Sequence, residues 1–302
     1  MRSIEIGGRT IVVRGTWFRT ATVWDEDLVQ GVVLEDLESF LTEWRANGLR
    51  ADIFTFAEKL PTAAPRQHCY FEWDNWAVVP IRSFSAWWTD LPQESRKNVR
   101  RAAKRGVTVT TATYDDQFVR GIQAIYNETP VRQGRNFWHY GKTFDAVKSE
   151  NGTYLDRSDF LAAYANNELI GFAKLVYVDK TATLLQILAK NEHHDKRPTN
   201  ALVAAAVQLC ERRGIAFLIY GKYVYGNHTS SPLTEFKRRN GFLEVRVPRY
   251  YVALSPLGRF AIKCRLHAGL RHALPPKLIS VALRLRSRLY SHIHQRAGVA
   301  QW

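Results

Sequence analysis

Three apolar runs that follow one another closely constrain the fold more than any other feature of the sequence. They occupy residues 160–165, 169–178 and 181–188. Two short polar breaks, Asn166-Asn167-Glu168 and Asp179-Lys180, separate the runs and suit tight turns. The pattern therefore predicts a β-meander of three antiparallel strands.

A helix and a further strand are predicted after the meander. Apolar residues recur at helical spacing, at Leu202, Ala205, Ala206, Leu209 and Cys210. We expect Thr199 to cap this helix and Gly214 to end it. Residues 215–220 are β-branched and aromatic, and they predict a buried strand beside the meander. Hairpins, a helix and a returning strand together predict a mixed α/β sheet of the kind that acyltransferases use.

Three segments resemble one family of acyltransferases. They are the pair Phe236-Lys237 followed by Asn240-Gly241-Phe242, the basic stretch 96–107, and the arginine-and-aromatic stretch 128–137. Their order resembles the FemABX branch of the GNAT superfamily, peptidyltransferases that attach amino acids from aminoacyl-tRNA to cell-wall precursors. The resemblance extends over residues 84–254. It implies an α/β (α+β) fold with a mixed, mainly antiparallel sheet flanked by helices.

The resemblance assigns roles to Phe236 and Lys237. In FemABX enzymes the matching phenylalanine stacks on the aminoacyl-tRNA end, and the matching lysine stabilises the carbonyl oxygen as it becomes anionic. An ammonium aimed at a developing oxyanion favours the transition state over the ground state. The tyrosines after the strand, Tyr220 and Tyr223, lie where a hydroxyl could protonate the leaving group or position the acyl carbonyl. Their alternative role is that of buried tyrosines with one satisfied hydroxyl.

The loop before the predicted helix is a candidate donor site. GNAT enzymes usually carry a glycine-rich turn here that wraps the coenzyme A pyrophosphate, and residues 190–200 lack it. The helix amino end still offers free N–H groups to an anion. We therefore predict that the donor binds at Lys196, Arg197, Thr199 and Asn200, beside Phe236. Adjacent side chains such as His193, His194 and Asp195 seldom converge on one ion, so no metal site is predicted.

Two further segments favour an anionic or polar substrate. Basic residues cover about half of the predicted helix at 96–105, which is either a solvated surface helix or a contact for a phosphate-rich partner. In the stretch 127–142, arginine forks alternate with aromatic rings. We predict an acceptor site there, although its aromatics could simply fill the core. The predicted acceptor residues are Glu128, Arg132, Gln133, Arg135, Tyr140 and Lys142, together with Tyr223.

Composition narrows the class of protein. The 302 residues carry a formal net charge of +15, which favours RNA, a nucleotide-bearing cofactor or an acidic membrane surface as partner. Three widely spaced cysteines make a disulfide framework improbable and favour a reducing compartment. The amino end lacks the apolar core of a signal peptide, and no apolar run is long enough to span a membrane. We therefore expect a cytoplasmic protein, at most peripheral on the inner face of the membrane.

The chain divides into three predicted parts. Residues 1–82 predict a small α/β lobe, either a degenerate GNAT-like half or an unrelated unit, and residues 83–256 predict the acyltransferase domain. In the last strand pattern, 242–254, Pro248 indicates a sheet edge or a bulge. Residues 257–302 predict a basic helical tail, with an amphipathic helix at 278–293. That helix either lies on anionic lipid, packs on the body or binds RNA.

These observations favour an N-acyltransferase without a tightly bound cofactor. The donor is either aminoacyl-tRNA or an acyl-CoA, and the acceptor is an amine, such as a cell-envelope precursor or a lipid-linked substrate. Lys237 and Tyr220 are the predicted catalytic residues. No general base is evident. The alternative is a non-catalytic module that binds anions and docks on membrane or RNA.

Overall fold

One long sheet organises the protein. The computed structural model describes residues 2–61, 64–132, 134–226 and 231–268. Gln133 and the predicted helix at 278–293 lie outside the described residues. Within them, eleven strands form a single sheet in the order β1-β2-β3-β4-β13-β5-β12-β11-β10-β9-β6, and two short strands form a separate hairpin.

The strands alternate along the chain with helices. The strands are β1 (Arg2–Ile6), β2 (Arg9–Arg14), β3 (Thr20–Val23), β4 (Ile53–Ala57), β5 (Phe71–Pro80), β6 (Thr108–Ala112), β7 (Val131–Arg132), β8 (Arg135–Asn136), β9 (Ser158–Ala165), β10 (Glu168–Val178), β11 (Thr181–Ala189), β12 (Phe217–Lys222) and β13 (Leu243–Ala253). The helices are α1 (Leu37–Asn47), α2 (Phe84–Asp90), α3 (Gln93–Lys104), α4 (Asp116–Tyr126), α5 (Phe144–Asn151), α6 (Pro198–Arg212), α7 (Pro232–Arg239) and α8 (Pro256–Lys263).

The meander predicted from the apolar runs is confirmed. Strands β9, β10 and β11 pair antiparallel in chain order. The turn residues Asn166, Asn167 and Asp179 have φ values of 51°, 65° and 51°, the left-handed conformation that asparagine and aspartate tolerate better than other side chains. This conformation lets each strand reverse within two or three residues.

The sheet opens between β11 and β12. The two strands are parallel and pair only from Thr181–Thr183 to Phe217–Ile219. Beyond these pairs β11 continues to Ala189 and β12 to Lys222, and no further ladder pair joins their described residues. The carboxyl ends of the two strands therefore diverge, and α6 and α7 begin just after them.

Helices cover both faces of the sheet, because neighbouring strand residues point to opposite sides. On one face, α6 packs against the sheet through residues such as Leu202 and Val207, in the same core as Leu218 and Val79. On the other face, α4 packs Ile122 against Phe160 and Phe172. A mixed α/β sheet flanked by helices matches the predicted fold class.

Two local predictions are wrong. Thr199 does not cap α6, because Pro198 occupies the first helical position and Arg197 is the N-cap, in the left-handed conformation with φ 58°. Pro248 marks neither an edge nor a bulge, since β13 lies between β4 and β5. Its pairing with β4 begins only at Arg249, so the missing N–H of Pro248 falls just outside that ladder.

The amino-terminal strands belong to the same sheet as the rest. Strand β13 pairs with both β4 and β5, which joins strands from the two sides of residue 82. The division into domains at residues 82 and 256 stays a prediction. Among the described residues, no helix is long and apolar enough to cross a membrane.

Candidate active site

Lys237 lies at the point where the sheet opens. Ser231 caps helix α7, because its hydroxyl accepts a hydrogen bond from the Thr234 N–H. The helix places Lys237 at the end of β12. The side chain is fully buried, at 0% exposure. Its Nζ donates a hydrogen bond to the carbonyl of Lys222 and lies 4.8 Å and 4.7 Å from the ring centres of Tyr220 and Tyr225.

Burial shifts the pKa values of Lys237 and Tyr220 in opposite directions. Desolvation lowers the pKa of Lys237 to about 8, because the ammonium form loses water. Desolvation also raises the pKa of Tyr220 to about 12, with a smaller contribution from Tyr225. At neutral pH the site therefore presents an ammonium and a protonated phenol. Both groups can donate to an oxygen that gains negative charge.

A cavity of about 290 Å³ opens between α3, the start of α6 and α7. Its walls include four of the predicted donor-binding residues, Arg197, Thr199, Asn200 and Phe236. The fifth, Lys196, is not among the lining residues, and its Nζ lies 3.1 Å from Nδ1 of His193. Four side chains predicted from sequence to share a ligand are thus brought together by the fold.

Two polar atoms in the walls of this donor-side cavity lack a partner. Nε of Arg197 and Oδ1 of Asn98 are buried, and neither has a hydrogen-bond partner in the described part of the chain. A buried polar atom without a partner costs about 1–3 kcal/mol. The neighbouring amides are satisfied, since Asn200 Nδ2 donates to Asn240 Oδ1 at 3.0 Å. A ligand that offers both an acceptor and a donor would form hydrogen bonds with Nε of Arg197 and Oδ1 of Asn98.

Helix α3 joins the cavity to a cationic surface, and Ser95 and Asn98 of α3 line the cavity. Exposed cations follow along the same helix, at Lys97, Arg100, Arg101, Lys104 and Arg105. Arg96 differs from them, because its guanidinium donates to the carbonyls of Thr89 and Leu91 at 2.8 Å and 2.9 Å and so holds the end of α2. The predicted helix is confirmed, and most of its charge faces outward beside the cavity.

The predicted acceptor loop is largely tied to the protein itself. Arg132 donates to the carbonyls of Ala189 and Ile125 and to Glu128, whose other carboxylate oxygen accepts the Glu192 N–H. These bonds fasten the β7–β8 hairpin to the end of β11.

Other residues of the loop differ in exposure. Lys142 Nζ bonds both carboxylate oxygens of Glu150, whereas Arg135 and Tyr140 are exposed. Tyr223 is half-buried, and its carbonyl accepts from Thr234 Oγ1 at 3.4 Å. An acceptor role for these residues stays a prediction.

Sequence reasoning missed a polar pair on the face of β11 that packs against α4. Gln186 Nε2 donates to the Tyr126 hydroxyl at 2.7 Å and lies 3.4 Å from Nε2 of His139. Burial lowers the pKa of His139 to about 4, so its ring is neutral at physiological pH. A glutamine within the apolar run 181–188 was the available signal. The same reasoning missed Asn98, which nothing in a basic helix distinguishes.

One cluster has the residue types of a metal site. Glu168, Glu192 and His193 bring ligand atoms within 4.8 Å of one another. However, Lys190 Nζ bonds the carboxylates of both Glu168 and Glu192, so an ammonium already neutralises them. The Lys190 ammonium is therefore already the cation that balances the two carboxylates of this cluster.

Comparisons with known proteins support the fold. The sequence matches no protein-family model and no curated protein. Among solved structures, FemX has a TM-score of 0.59 at 12% identity, with 82% of this chain and 86% of FemX covered. L-PGS from Bacillus licheniformis has a TM-score of 0.52 at 12% identity, with 86% of each chain covered.

A third structure is the C-terminal domain of a putative lysylphosphatidylglycerol synthetase from Agrobacterium fabrum. It has a TM-score of 0.51 at 14% identity, with 87% of each chain covered. At such identities the likeness concerns the fold. The resemblance predicted from sequence is confirmed at that level: the chain has a FemABX-like GNAT fold.

Proposed function

We propose that this protein is an N-acyltransferase that moves an aminoacyl group from aminoacyl-tRNA to an amine. The observation that carries the proposal is the donor-side cavity, in which Nε of Arg197 and Oδ1 of Asn98 lack partners. Lys237 itself does not line this cavity, but Phe236, its neighbour in α7, does, and the buried Lys237 ammonium lies at the end of β12. A carrier with phosphate and sugar groups suits the cavity. Its activated carbonyl would then face Lys237.

Besides positioning the substrates, the protein contributes an oxyanion partner and a proton route to the reaction. The neutral amine attacks the ester carbonyl, a C–N bond forms, and the C–O bond to the carrier ribose breaks. The ammonium of Lys237 stabilises the oxyanion, since charge develops there only in the transition state. Tyr220 donates a proton to the departing ribose oxygen and regains one from the acceptor nitrogen. No covalent intermediate and no tightly bound cofactor are required.

The surroundings favour aminoacyl-tRNA over acyl-CoA as the donor. Four exposed cations lie along α3, and a fifth, Arg105, at its C-cap pairs with Asp195; a helix of twelve residues is about 18 Å long. This surface matches a polynucleotide backbone better than the few phosphates of coenzyme A. Arg197 occupies the N-cap of α6, where GNAT enzymes usually have a glycine-rich turn. A residue with a side chain at this position lets a pyrophosphate approach the backbone less closely than glycine would.

The acceptor and the membrane contact complete the proposal. The amine acceptor is a cell-envelope precursor or a lipid-linked molecule, in keeping with FemX and the lysylphosphatidylglycerol synthetase as structural neighbours. The basic tail from residue 257 is proposed to touch an anionic membrane surface. In its described part, α8 exposes Leu257 and Phe260 next to Arg259 and Lys263, a mixture suited to a lipid interface.

A binding panel tests the choice of donor. Thermal unfolding is measured with aminoacyl-tRNA, deacylated tRNA and acyl-CoAs, because a true donor raises the melting temperature by mass action. We expect aminoacyl-tRNA to give the largest shift. Transfer of a labelled amino acid to amine acceptors is measured in parallel. A shift with acyl-CoA alone would contradict the proposed donor, and donor binding without any transfer would support the non-catalytic module.

Removing positive charges from α3 tests whether aminoacyl-tRNA binds along this helix. The triple variant Lys97→Gln, Arg101→Gln, Lys104→Gln should weaken aminoacyl-tRNA binding and reduce its salt slope by about 2 to 3, because each cation that contacts a phosphate releases counterions. The matched control removes three exposed arginines of the amino-terminal strands and helix, Arg2, Arg45 and Arg50, and should change binding little. Equal loss in both triple variants would indicate non-specific attraction only.

A further inference from the structure

A second cavity lies on the opposite face of the sheet from the donor-side cavity. It has a volume of about 350 Å³, within the range of small-molecule sites. Trp76, Val178 and Ile219 form its floor, and Leu60 and Pro61 form a wall. The residues next to two of these in the strands, Ala77 and Leu218, belong to the core under α6. Because successive strand residues point to opposite faces, the two cavities are separated by the sheet.

The apolar cavity contains a lysine without a partner. Nζ of Lys59 is buried, and no described residue accepts a hydrogen bond from it. Burial lowers the pKa of Lys59 to about 8, because nearby carboxylates such as Asp179 offset the desolvation only in part. Two more cations at the rim, Arg66 and Lys180, are exposed and form no ion pair with described residues.

An unpaired carboxylate lines the same cavity. Asp27 is accessible from it, and no described residue forms a hydrogen bond or ion pair with its carboxylate. Asp27 is exposed at the edge of the cavity. Desolvation by the surrounding protein raises its pKa, while the nearby Arg249 lowers it in part. The other two acidic residues of the cavity accept hydrogen bonds within the protein. Glu58 accepts one from the Tyr250 hydroxyl, and Asp179 accepts one from the Gly31 N–H. The cavity therefore offers, between apolar walls, a buried ammonium without a partner and an exposed carboxylate without a hydrogen bond or ion pair to described residues, with two further cations at the rim.

From this arrangement we propose that the cavity binds a small zwitterion: an amino acid with an apolar side chain, free or at the end of a peptide. Its carboxylate pairs with Lys59 and its ammonium with Asp27, while its side chain packs on Trp76, Val178 and Ile219. Such a ligand satisfies both lone charges at once. A purely cationic ligand would leave the buried Lys59 ammonium unpaired, whereas a purely anionic ligand would make no contact with the exposed carboxylate of Asp27. This inference does not rest on the proposed transfer activity.

Calorimetric titrations with three probes test the proposal. L-Phenylalanine carries both charges, N-acetyl-L-phenylalanine lacks the ammonium, and L-phenylalaninamide lacks the carboxylate. We expect the wild-type protein to bind phenylalanine most tightly. Lys59→Met should weaken phenylalanine binding by about 10-fold or more, the loss of one charge-assisted hydrogen bond, and leave the amide unaffected. Asp27→Asn should weaken phenylalanine binding similarly and leave the N-acetyl compound unaffected.

Controls separate charge recognition from damage to the fold. Lys59→Arg keeps the cation and should retain binding, and Asp90→Asn removes an exposed carboxylate far along the chain in α2 and should change nothing. Unfolding midpoints are compared for every variant. The proposal is overturned by an absence of saturable binding to the wild-type protein. It is also overturned if both cavity variants, with unchanged unfolding midpoints, weaken all three probes equally.

Discussion

Two buried lysines of the described residues, Lys174 in β10 and Lys237 in α7, are alike in burial and differ in what surrounds them. Their exposures are 1% and 0%, and burial lowers the pKa of each to about 8. Lys174 Nζ donates to the carbonyl of Asn151 and to the carbonyl and hydroxyl of Thr153. Lys237 has one hydrogen bond, to the Lys222 carbonyl, and two tyrosine rings.

The difference lies in spare donor capacity. An ammonium has three N–H donors. Those of Lys174 are matched by three protein acceptors, so its role is to hold the turn after α5 against β10. Among the described residues Lys237 has one acceptor, so it retains donors for a ligand oxygen, and its neighbour in α7, Phe236, lines the donor-side cavity. Burial and a lowered pKa are common to both lysines, so the unused donors are what distinguish Lys237 as the candidate for catalysis.

The strongest test replaces each lysine with methionine. Lys237→Met should lower turnover by about 100- to 1,000-fold, the usual effect of removing one oxyanion donor. Lys174→Met should leave the transfer rate per folded molecule unchanged. It should instead lower the free energy of unfolding by about 1–3 kcal/mol for each carbonyl left without a donor. Urea unfolding and turnover are measured on both variants. The comparison fails if Lys174→Met abolishes turnover in a protein of normal stability.

The pH dependence of turnover separates the two lysines further. The active form of Lys237 is the ammonium, and its pKa is about 8. Turnover should therefore fall as the pH rises through about 8, by up to 10-fold per pH unit. Lys237→Arg, whose guanidinium remains charged, should remove this fall. An identical alkaline fall in the arginine variant would assign the titration to another group.

The donor-side cavity should affect donor affinity rather than chemistry. Arg197→Ala removes the guanidinium that lacks a partner and should raise the donor dissociation constant by about 10-fold, as expected for one hydrogen bond to a charged group. Arg212→Ala, at the exposed far end of the same helix, is the matched control. Binding is measured by fluorescence anisotropy with labelled aminoacyl-tRNA. Equal effects of the two variants would exclude a specific role for the cavity.

The smallest expected effect is the change that Lys174 causes in the pH dependence of the unfolding free energy. Its pKa is about 8 when folded and near 10.5 when unfolded, so between these values the unfolded state binds more protons. Stability from this residue therefore increases with pH over that window, by up to about 1.4 kcal/mol per unit. The difference in unfolding free energy between the wild-type protein and Lys174→Met should widen from pH 8 to pH 10. A constant difference would show that Lys174 does not titrate there.

Local sequence patterns predicted the parts of the fold that depend on local physics. The meander follows from alternating apolar runs and turn residues, and Gly214 follows α6 in the left-handed conformation, as expected for a helix stop. Thr199 was mistaken for a cap because a proline at the first helical position and a left-handed Arg197 replaced the usual arrangement. Pro248 was mistaken for an edge marker because its neighbours come from β4 and β5, far away in the chain.

The sequence predicted which residues belong to the candidate site better than it predicted the contacts that those residues make. Phe236 and Lys237 were found through their resemblance to a family motif, and the fold brings Phe236 together with Arg197, Thr199 and Asn200. The partners of Arg132 could not be predicted, since Ala189, whose carbonyl it binds, is 57 residues away. Asn98 and Lys59 were missed for the same reason. A lone unpartnered atom is a property of the packed protein and leaves no pattern in the sequence.

The central claim is that the Lys237 ammonium acts on the transferred carbonyl and not on donor binding. Single-turnover transfer at saturating aminoacyl-tRNA, combined with the donor dissociation constant, tests it most directly in Lys237→Met. The account predicts a transfer step at least about 100-fold slower, with a dissociation constant within about twofold of the wild-type value. An unchanged single-turnover rate, with the loss confined to donor affinity, would contradict it.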